Sequence, residues 1–135
     1  MKKKVLFVCV ENAGRSQMAE ALARLHAGDV LDAHSAGSKP SGVINPVAIA
    51  AMAELGYDLS THHSKSLDEI GTQEYDAVVT MGCGDACPFV PAKHRFDWNI
   101  RDPKGKTIEE VSHIRDFIDT KVRELANELC RVQSR

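Results

Sequence analysis

The chain has 135 residues, 43% hydrophobic and 27% charged, and its Lys+Arg 17 against Asp+Glu 19 leaves a formal net charge of −2. That length suits one domain, residues 1–135, with a core of its own. The near balance of charge argues against a general nucleic-acid or membrane surface, so any anion site must be local and built by geometry.

The run Val5 to Val10 is too short to span a membrane. Glu11-Asn12 ends it at once and no small-residue cleavage pattern follows, so Lys2-Lys3-Lys4 before it is not read as a signal peptide. A cytoplasmic location is expected. Residues 3–9 read as a strand buried on both faces. Residues 16–27 follow as a helix, with Met18, Ala19, Leu22 and Leu25 at helical spacing. A second strand is expected over 30–35, stopped by Gly37 and the Lys39-Pro40-Ser41-Gly42 loop. Asn45 as cap and Pro46 at the first helical position start a helix that runs to Leu55 and stops at Gly56. Tyr75 to Met81 reads as a third strand and Arg95 to Ile100 as a short fourth. Thr107 and Glu110 form a capping box. Behind it Ile108, Val111, Ile114, Ile118, Val122, Leu125 and Leu129 mark one face of a long final helix.

Strands alternating with helices predict an α/β fold, a flavodoxin-like three-layer arrangement with a four-stranded parallel sheet of order 2-1-3-4. Ligands in such sheets bind beyond the carboxyl ends of the strands, at the switch point beside strand 1. Cys9 ends strand 1, Cys83 follows strand 3 and Asp102 follows strand 4, so three reactive residues are expected on one rim.

The central motif is Cys9-Val10-Glu11-Asn12-Ala13-Gly14-Arg15-Ser16. A loop of that length between strand and helix can turn several N–H groups inward, with the helix N-terminus behind them, and so form an anion nest. Arg15 adds a planar fork that pairs with two oxygens of a tetrahedral anion. Gly14 is expected to supply a backbone conformation that a side chain would resist, and Asn12 a left-handed one. A thiol facing amide donors and Arg15 is stabilised as thiolate, with Ser16 as a further donor to the sulfur, and the thiolate is the competent nucleophile. The same donors stabilise charge on the equatorial oxygens of the transition state. Glu11 would repel an anion and is expected to point outward. The competing reading makes Cys9 a core cysteine and Arg15 a surface charge, but the full Cys-x5-Arg-Ser string is far more specific than either residue alone.

Asp102-Pro103-Lys104-Gly105 follows the last strand, where Pro103 stiffens the loop and Asp102 can protonate a departing oxygen. Alone, Asp-Pro is an ordinary turn start. Cys83-Gly84-Asp85-Ala86-Cys87-Pro88 holds two further thiols, and Gly82 and Gly84 are read as making that segment mobile. Two thiols can supply electrons, bind zinc, or lie buried and inert. Structural zinc needs four N or S ligands, and His94 with the His62-His63 pair matches no common spacing, so no metal or other cofactor is expected. Cys130, on the last helix, reads as a packing residue.

The string from Val5-Leu6-Phe7-Val8-Cys9 through Arg15-Ser16-Gln17-Met18-Ala19-Glu20 resembles the arsenate reductases built on the low-molecular-weight tyrosine phosphatase fold. His34-Ser35-Ala36-Gly37, Asn45-Pro46, Val78-Val79-Thr80 and Asp102-Pro103 fall where that family has similar strings. The resemblance implies Cys9 as nucleophile and Asp102 as general acid. It also implies a relay in which Cys83 attacks Cys9, expelling arsenite, and Cys87 then attacks Cys83. Implied partners are arsenate, with phosphate or sulfate in the same loop, and thioredoxin as reductant. A monomer is expected, with no nucleic-acid or membrane partner. Some relatives bind potassium beside the loop. Asn12, Glu20 and Ser35 match that site, but Lys65 stands where a carboxylate is expected. Lys104 stands where the phosphatases carry an aromatic residue, which counts against phosphotyrosine. The alternatives are a low-molecular-weight protein phosphatase, an arsenate–small-thiol transferase of the mycothiol type, and a redox sensor or anion-binding protein whose loop does not turn over.

Overall fold

A computed structural model of the chain describes residues 2–70, 74–82 and 90–133, the side chains of the last two excepted. The elements are β1 (Lys3–Cys9), α1 (Arg15–His26), β2 (Leu31–Gly37), α2 (Pro46–Ala53), β3 (Tyr75–Thr80), β4 (Ala92–Asp97) and α3 (Ile108–Gln133). Single 3-10 turns lie at Leu59–Thr61 and Leu67–Ile70. The four strands form one parallel sheet in the order β2-β1-β3-β4, as the alternating pattern predicts.

Strand alternation divides the core in two. Val5, Phe7 and Cys9 of β1, with Leu31 and Ala33 of β2 and Ala77 and Val79 of β3, pack under α1, α2 and α3. Leu6, Val8, Ala36 and Val78 point to the other face, against Leu67 and Ile70. Each fully buried Leu, Val or Phe in these clusters stabilises the fold by about 1.5–3 kcal/mol. Along α3, Val111, Ile114, Ile118, Val122, Leu125 and Leu129 are all buried, which is the face the sequence marks.

Four expectations need correction. The fourth strand is Ala92–Asp97, not 95–100: Ala92 and His94 pair with Tyr75 and Ala77, and polar residues on the exposed side of an edge strand mask its start. Leu25 (40% exposed) and Ile108 (41%) lie outside the buried stripes, each at a helix end where the sheet no longer covers it. Cys130 is exposed, because the stripe at that turn is Ala126 and Leu129. The second helix ends at Ala53, two residues early. Its closure is a Schellman motif, with Gly56 N–H donating to Ala53 O (2.9 Å) and Tyr57 N–H to Met52 O (3.1 Å).

Two polar devices fix the helices. Arg115, 7% exposed, carries α3 against the end of α2, donating to Ala51 O (2.7 Å) and pairing with Glu54 and Asp116. At the start of α3, Glu110 Oε1 accepts from Thr107 N (3.1 Å), and Thr107 Oγ1 accepts from Glu110 N (3.2 Å). The Thr107 backbone donor, then its hydroxyl, hold the Glu110 carboxyl below its usual value. A carboxyl with a depressed folded value stabilises the fold above its unfolded value, and the gain is lost as pH falls through the folded one. Glu110→Gln is therefore expected to lower the urea midpoint at neutral pH and to match the parent at strongly acidic pH. Urea titrations across that range check it.

Candidate functional site

The site begins where β1 ends. Cys9 is 2% exposed, and the next residues must leave the sheet and return to start α1 at Arg15. Asn12 turns the chain with φ 50°, the only positive value at a non-glycine among the described residues. The loop's carbonyls are claimed from outside, one after another. Cys9 O accepts from Ser38 N (3.3 Å), Val10 O from Lys39 N (2.8 Å), and Glu11 O from Ser41 N and Ser64 Oγ (3.1 and 2.8 Å). Asn12 O accepts from Gln17 Nε2 (3.1 Å), Ala13 O from Asn45 N (2.8 Å), and Gly14 O from Met18 N (2.9 Å). A trans peptide points its N–H opposite to its C=O, so carbonyls held outward turn the amide donors to the concave side. No side chain caps the N-terminus of α1 and its first turn holds no acid, which leaves that positive end open to an anion.

Arg15 closes one side. Its guanidinium is 11% exposed, donates from Nη1 to Ile100 O (3.2 Å), and holds Nη2 3.9 Å from Asp102 Oδ2. Gly82, at φ +84°, lets the segment after β3 pass this guanidinium: a Cβ there would lie 2.5 Å from Arg15 Nη1. Gly82 thus serves close approach, where the sequence suggests mobility. Gly14 differs from expectation too. Its φ is −134°, and its need is space, since a Cβ there would meet Pro103 Cγ at 2.6 Å. Pro103 therefore packs on the loop, and Asp102 stands at its edge with Oδ1 accepting from Lys104 N (3.0 Å). Glu11 does point outward, pairing with Lys104 Nζ at 3.5 Å. The cleft above Cys9 has a volume of about 710 Å³, with Ser41, Val43, Asn45 and Pro46 opposite the Asp102–Gly105 loop. Val10, Ala13 and Arg15 also line it, so Cys9, Arg15 and Asp102 share one cleft. Cys83 and Cys87 lie outside the described residues.

Beneath the loop runs a buried polar network that pattern reasoning reaches only in part. Cys9 Sγ lies 2.8 Å from Ser16 Oγ, which accepts from Asn12 Nδ2 (2.7 Å) and so has its own proton to give the sulfur. Asn12 Oδ1 accepts from Gln17 Nε2 (2.7 Å) and from Lys65 N (3.0 Å). Gln17 Oε1 meets His62 Nδ1 (2.9 Å), and His62 Nε2 meets Tyr57 Oη (2.6 Å). Glu20, 3% exposed, accepts from Ser35 Oγ (2.6 Å) and pairs with Arg24 (2.7 Å). Gln17, Tyr57 and His62 are the members missed. The available signal is that α1 is alanine-rich and buried from Ser16 to Ala23, so its polar residues must be partnered inside.

The place where relatives are expected to hold potassium is filled. Lys65 Nζ lies 3.4 Å from His63 O, 3.5 Å from Ser35 Oγ and 3.8 Å from Glu20 Oε1. An ammonium already occupies these oxygens, so the residues present do not fit a separate monovalent cation.

The chain is similar to known proteins over most of its length. A family model described as low molecular weight phosphotyrosine protein phosphatase matches residues 4–135. The chain is 40% identical over 125 residues to arsenate reductase 2 of Staphylococcus epidermidis, covering 90% of this chain and 94% of that protein. A solved arsenate reductase in the phosphate binding state superposes with TM-score 0.82 at 36% identity, covering 95% of this chain and 98% of that one. The thioredoxin-dependent arsenate reductase of Corynebacterium glutamicum gives TM-score 0.78 at 40% identity, over 97% of this chain and 63% of that one.

Lysine keeps the charge of Arg15 but not the fork, so Arg15→Lys is expected to weaken inorganic phosphate binding by about tenfold or more. Isothermal calorimetry measures it, and unchanged affinity means that the anion binds elsewhere. Phosphate affinity of the parent should be the same in sodium and potassium chloride at constant ionic strength. A marked preference for potassium contradicts the tethered ammonium of Lys65.

Proposed function

The chain belongs to the low molecular weight phosphotyrosine protein phosphatase family, and from that premise we propose that it is an arsenate reductase with Cys9 as nucleophile. One observation carries the reading: a buried cysteine sulfur with a hydroxyl donor at 2.8 Å faces a loop whose carbonyls are all held outward, beside Arg15. Such a pocket favours a tetrahedral oxyanion over its hydrated state. The arsenate reductases at 36–40% identity over nearly the whole chain support arsenate as that oxyanion. Among the described residues no aromatic side chain lines the cleft, and Lys104 stands beside the acid, so little there would stack on phosphotyrosine.

In the first step the Cys9 thiolate attacks arsenic. An As–O bond breaks, and Asp102, as acid, protonates the departing oxygen so that it leaves as water. In the second the Cys83 thiolate attacks Cys9 Sγ. The As–S bond breaks with its electron pair on arsenic, which leaves as arsenite, and a Cys9–Cys83 disulfide remains. In the third the Cys87 thiolate attacks Cys83, freeing Cys9 as thiolate and moving the disulfide to Cys83–Cys87. A dithiol of the thioredoxin type then supplies two electrons and reopens it. The oxyanion loop performs only the first step, so it can also hydrolyse an aryl phosphate slowly.

Cys9→Ser is expected to lower both arsenate reduction and aryl phosphate hydrolysis by about a thousandfold or more, as loss of a covalent nucleophile does. Substantial arsenate reduction in that variant would end the mechanism. Cys87→Ala separates the relay from simpler routes. It should release about one arsenite per enzyme, since the first two steps need only Cys9 and Cys83, and then stall as a Cys9–Cys83 disulfide. Non-reducing peptide mapping identifies that species, and a coupled thioredoxin assay reads the stall. Normal turnover with thioredoxin rules out the three-cysteine relay. If Cys83 and Cys87 are both dispensable when a small thiol is supplied, the enzyme is an arsenate–thiol transferase.

A further inference from the structure

The polarity of the network beneath the loop can be read from its fixed ends. Lys65 N is a backbone donor at 3.0 Å from Asn12 Oδ1, so that atom is the amide oxygen and Nδ2 must face Ser16. Gln17 Nε2 faces three acceptors, Asn12 Oδ1, Asn12 O and His63 O, at 2.7–3.1 Å, so its orientation is equally fixed and Oε1 faces His62. His62 Nδ1 then meets Gln17 Oε1 at 2.9 Å and Glu20 Oε2 at 3.5 Å. Both are acceptors, so Nδ1 carries the proton. In a neutral imidazole the other nitrogen is then an acceptor, and the Tyr57 hydroxyl sits 2.6 Å from it.

We propose that Tyr57 is a positioning residue of the oxyanion loop. Its hydroxyl donates to Nε2 of the neutral Nδ1–H ring that Gln17 and Glu20 orient, and so polarises it toward Gln17. Every bond from Tyr57 Oη through His62, Gln17, Asn12 and Ser16 then donates toward Cys9 Sγ. Chains of hydrogen bonds that run one way polarise each other, so the last donor, Ser16 Oγ, is strengthened toward a thiolate. The His62 side chain is 4% exposed, and the Tyr57 ring stands edge-on to it at 5.5 Å. The charged and titratable groups around it are Glu20 and Arg24 on α1 and His63 and Lys65 in the segment after it. Burial is the largest influence and holds the ring below the usual imidazole value, Glu20 works against this, and Arg24, Lys65 and His63 reinforce it. Tyr57 reaches this place because the Schellman closure of α2 delivers it there, five residues before His62, which caps the Leu59–Thr61 turn.

The inference depends on Cys9 as nucleophile only for its effect on rate, so the test uses no arsenate and can fail separately from the reductase reading. Tyr57→Phe keeps the ring and removes the hydroxyl. Nitrogen-15 imidazole spectra of the reduced parent should show His62 as a single Nδ1–H tautomer with a hydrogen-bonded Nε2, and the variant should lose the hydrogen-bond shift at Nε2. Iodoacetamide alkylation of Cys9, resolved by peptide mass, should slow by about two- to fivefold at neutral pH, a change on the scale of cooperative hydrogen-bond strengthening. The deficit should close as pH rises and the thiolate forms regardless. Phosphate affinity should stay within about twofold, since the loop keeps its shape and Arg15 its fork. In a His62→Gln background, Tyr57→Phe should have no further effect on alkylation. An unchanged Nε2 resonance or alkylation rate in Tyr57→Phe overturns the proposal, as does an effect that persists undiminished in His62→Gln. A collapse of phosphate affinity together with alkylation overturns it too, because that marks a purely structural role.

Discussion

The site depends on one buried amide. Asn12 holds a left-handed backbone angle that bends the oxyanion loop, and its side chain then ties three segments together. It donates to Ser16 in α1, accepts from Gln17 next to it, and accepts from the backbone of Lys65. A left-handed turn at a non-glycine residue costs about 1–2 kcal/mol, and a buried amide left unpaired costs about 1–3 kcal/mol. Both costs are met at once here, because the conformation that strains the backbone is the one that satisfies the side chain. Other asparagines would tolerate the angle; this one is locked into it by 0% exposure and three partners, Ser16, Gln17 and Lys65.

Anion binding by a chain of net charge −2 is then a matter of direction rather than of charge. The donors converge because the carbonyls are pulled away by Ser38, Lys39, Ser41 and Asn45. Arg15 is held by the Ile100 carbonyl and lies 3.9 Å from Asp102, so its fork is set before an anion arrives. Preorganised donors need not reorient, which is the condition under which they favour a transition state over a ground state. The one carboxylate in the loop, Glu11, is turned to solvent and faces Lys104, so its charge is offset at the rim of the cleft.

Much of this was legible before any coordinates. The sheet order, the loop from Cys9 to Ser16 and the placement of Asp102 come from periodicity, capping residues and a specific string. What was not legible depends on contacts between distant segments. Gly14 reads as a special backbone conformation and Gly82 as a point of mobility, yet each is small because another residue, Pro103 or Arg15, passes close. The start of β4 was hidden because Ala92, Lys93 and His94 have no apolar alternation, and only pairing with Tyr75 and Ala77 makes them a strand. In the sequence His62 enters only as a rejected zinc ligand and Gln17 only as part of the family string. Their burial is decided by the fit of α1 between the sheet and the segment 57–65, which no local pattern encodes.

The buried acid behind the loop completes the electrostatic argument. Glu20 places a carboxylate one helical turn past Ser16, on the side of α1 that faces the sheet, where an uncompensated charge would work against an oxyanion in the nest. It is not uncompensated. Arg24 approaches it at 2.7 Å, Lys65 at 3.8 Å and the Ser35 hydroxyl at 2.6 Å. Lys65 makes this link twice, its ammonium facing Glu20 while its backbone N–H holds Asn12. A diffusible cation could supply the charge but not the second contact. In this chain one of the two counter-charges to Glu20 and the clamp on the oxyanion loop are therefore a single covalently tethered residue, present at full occupancy whatever the ionic composition around it.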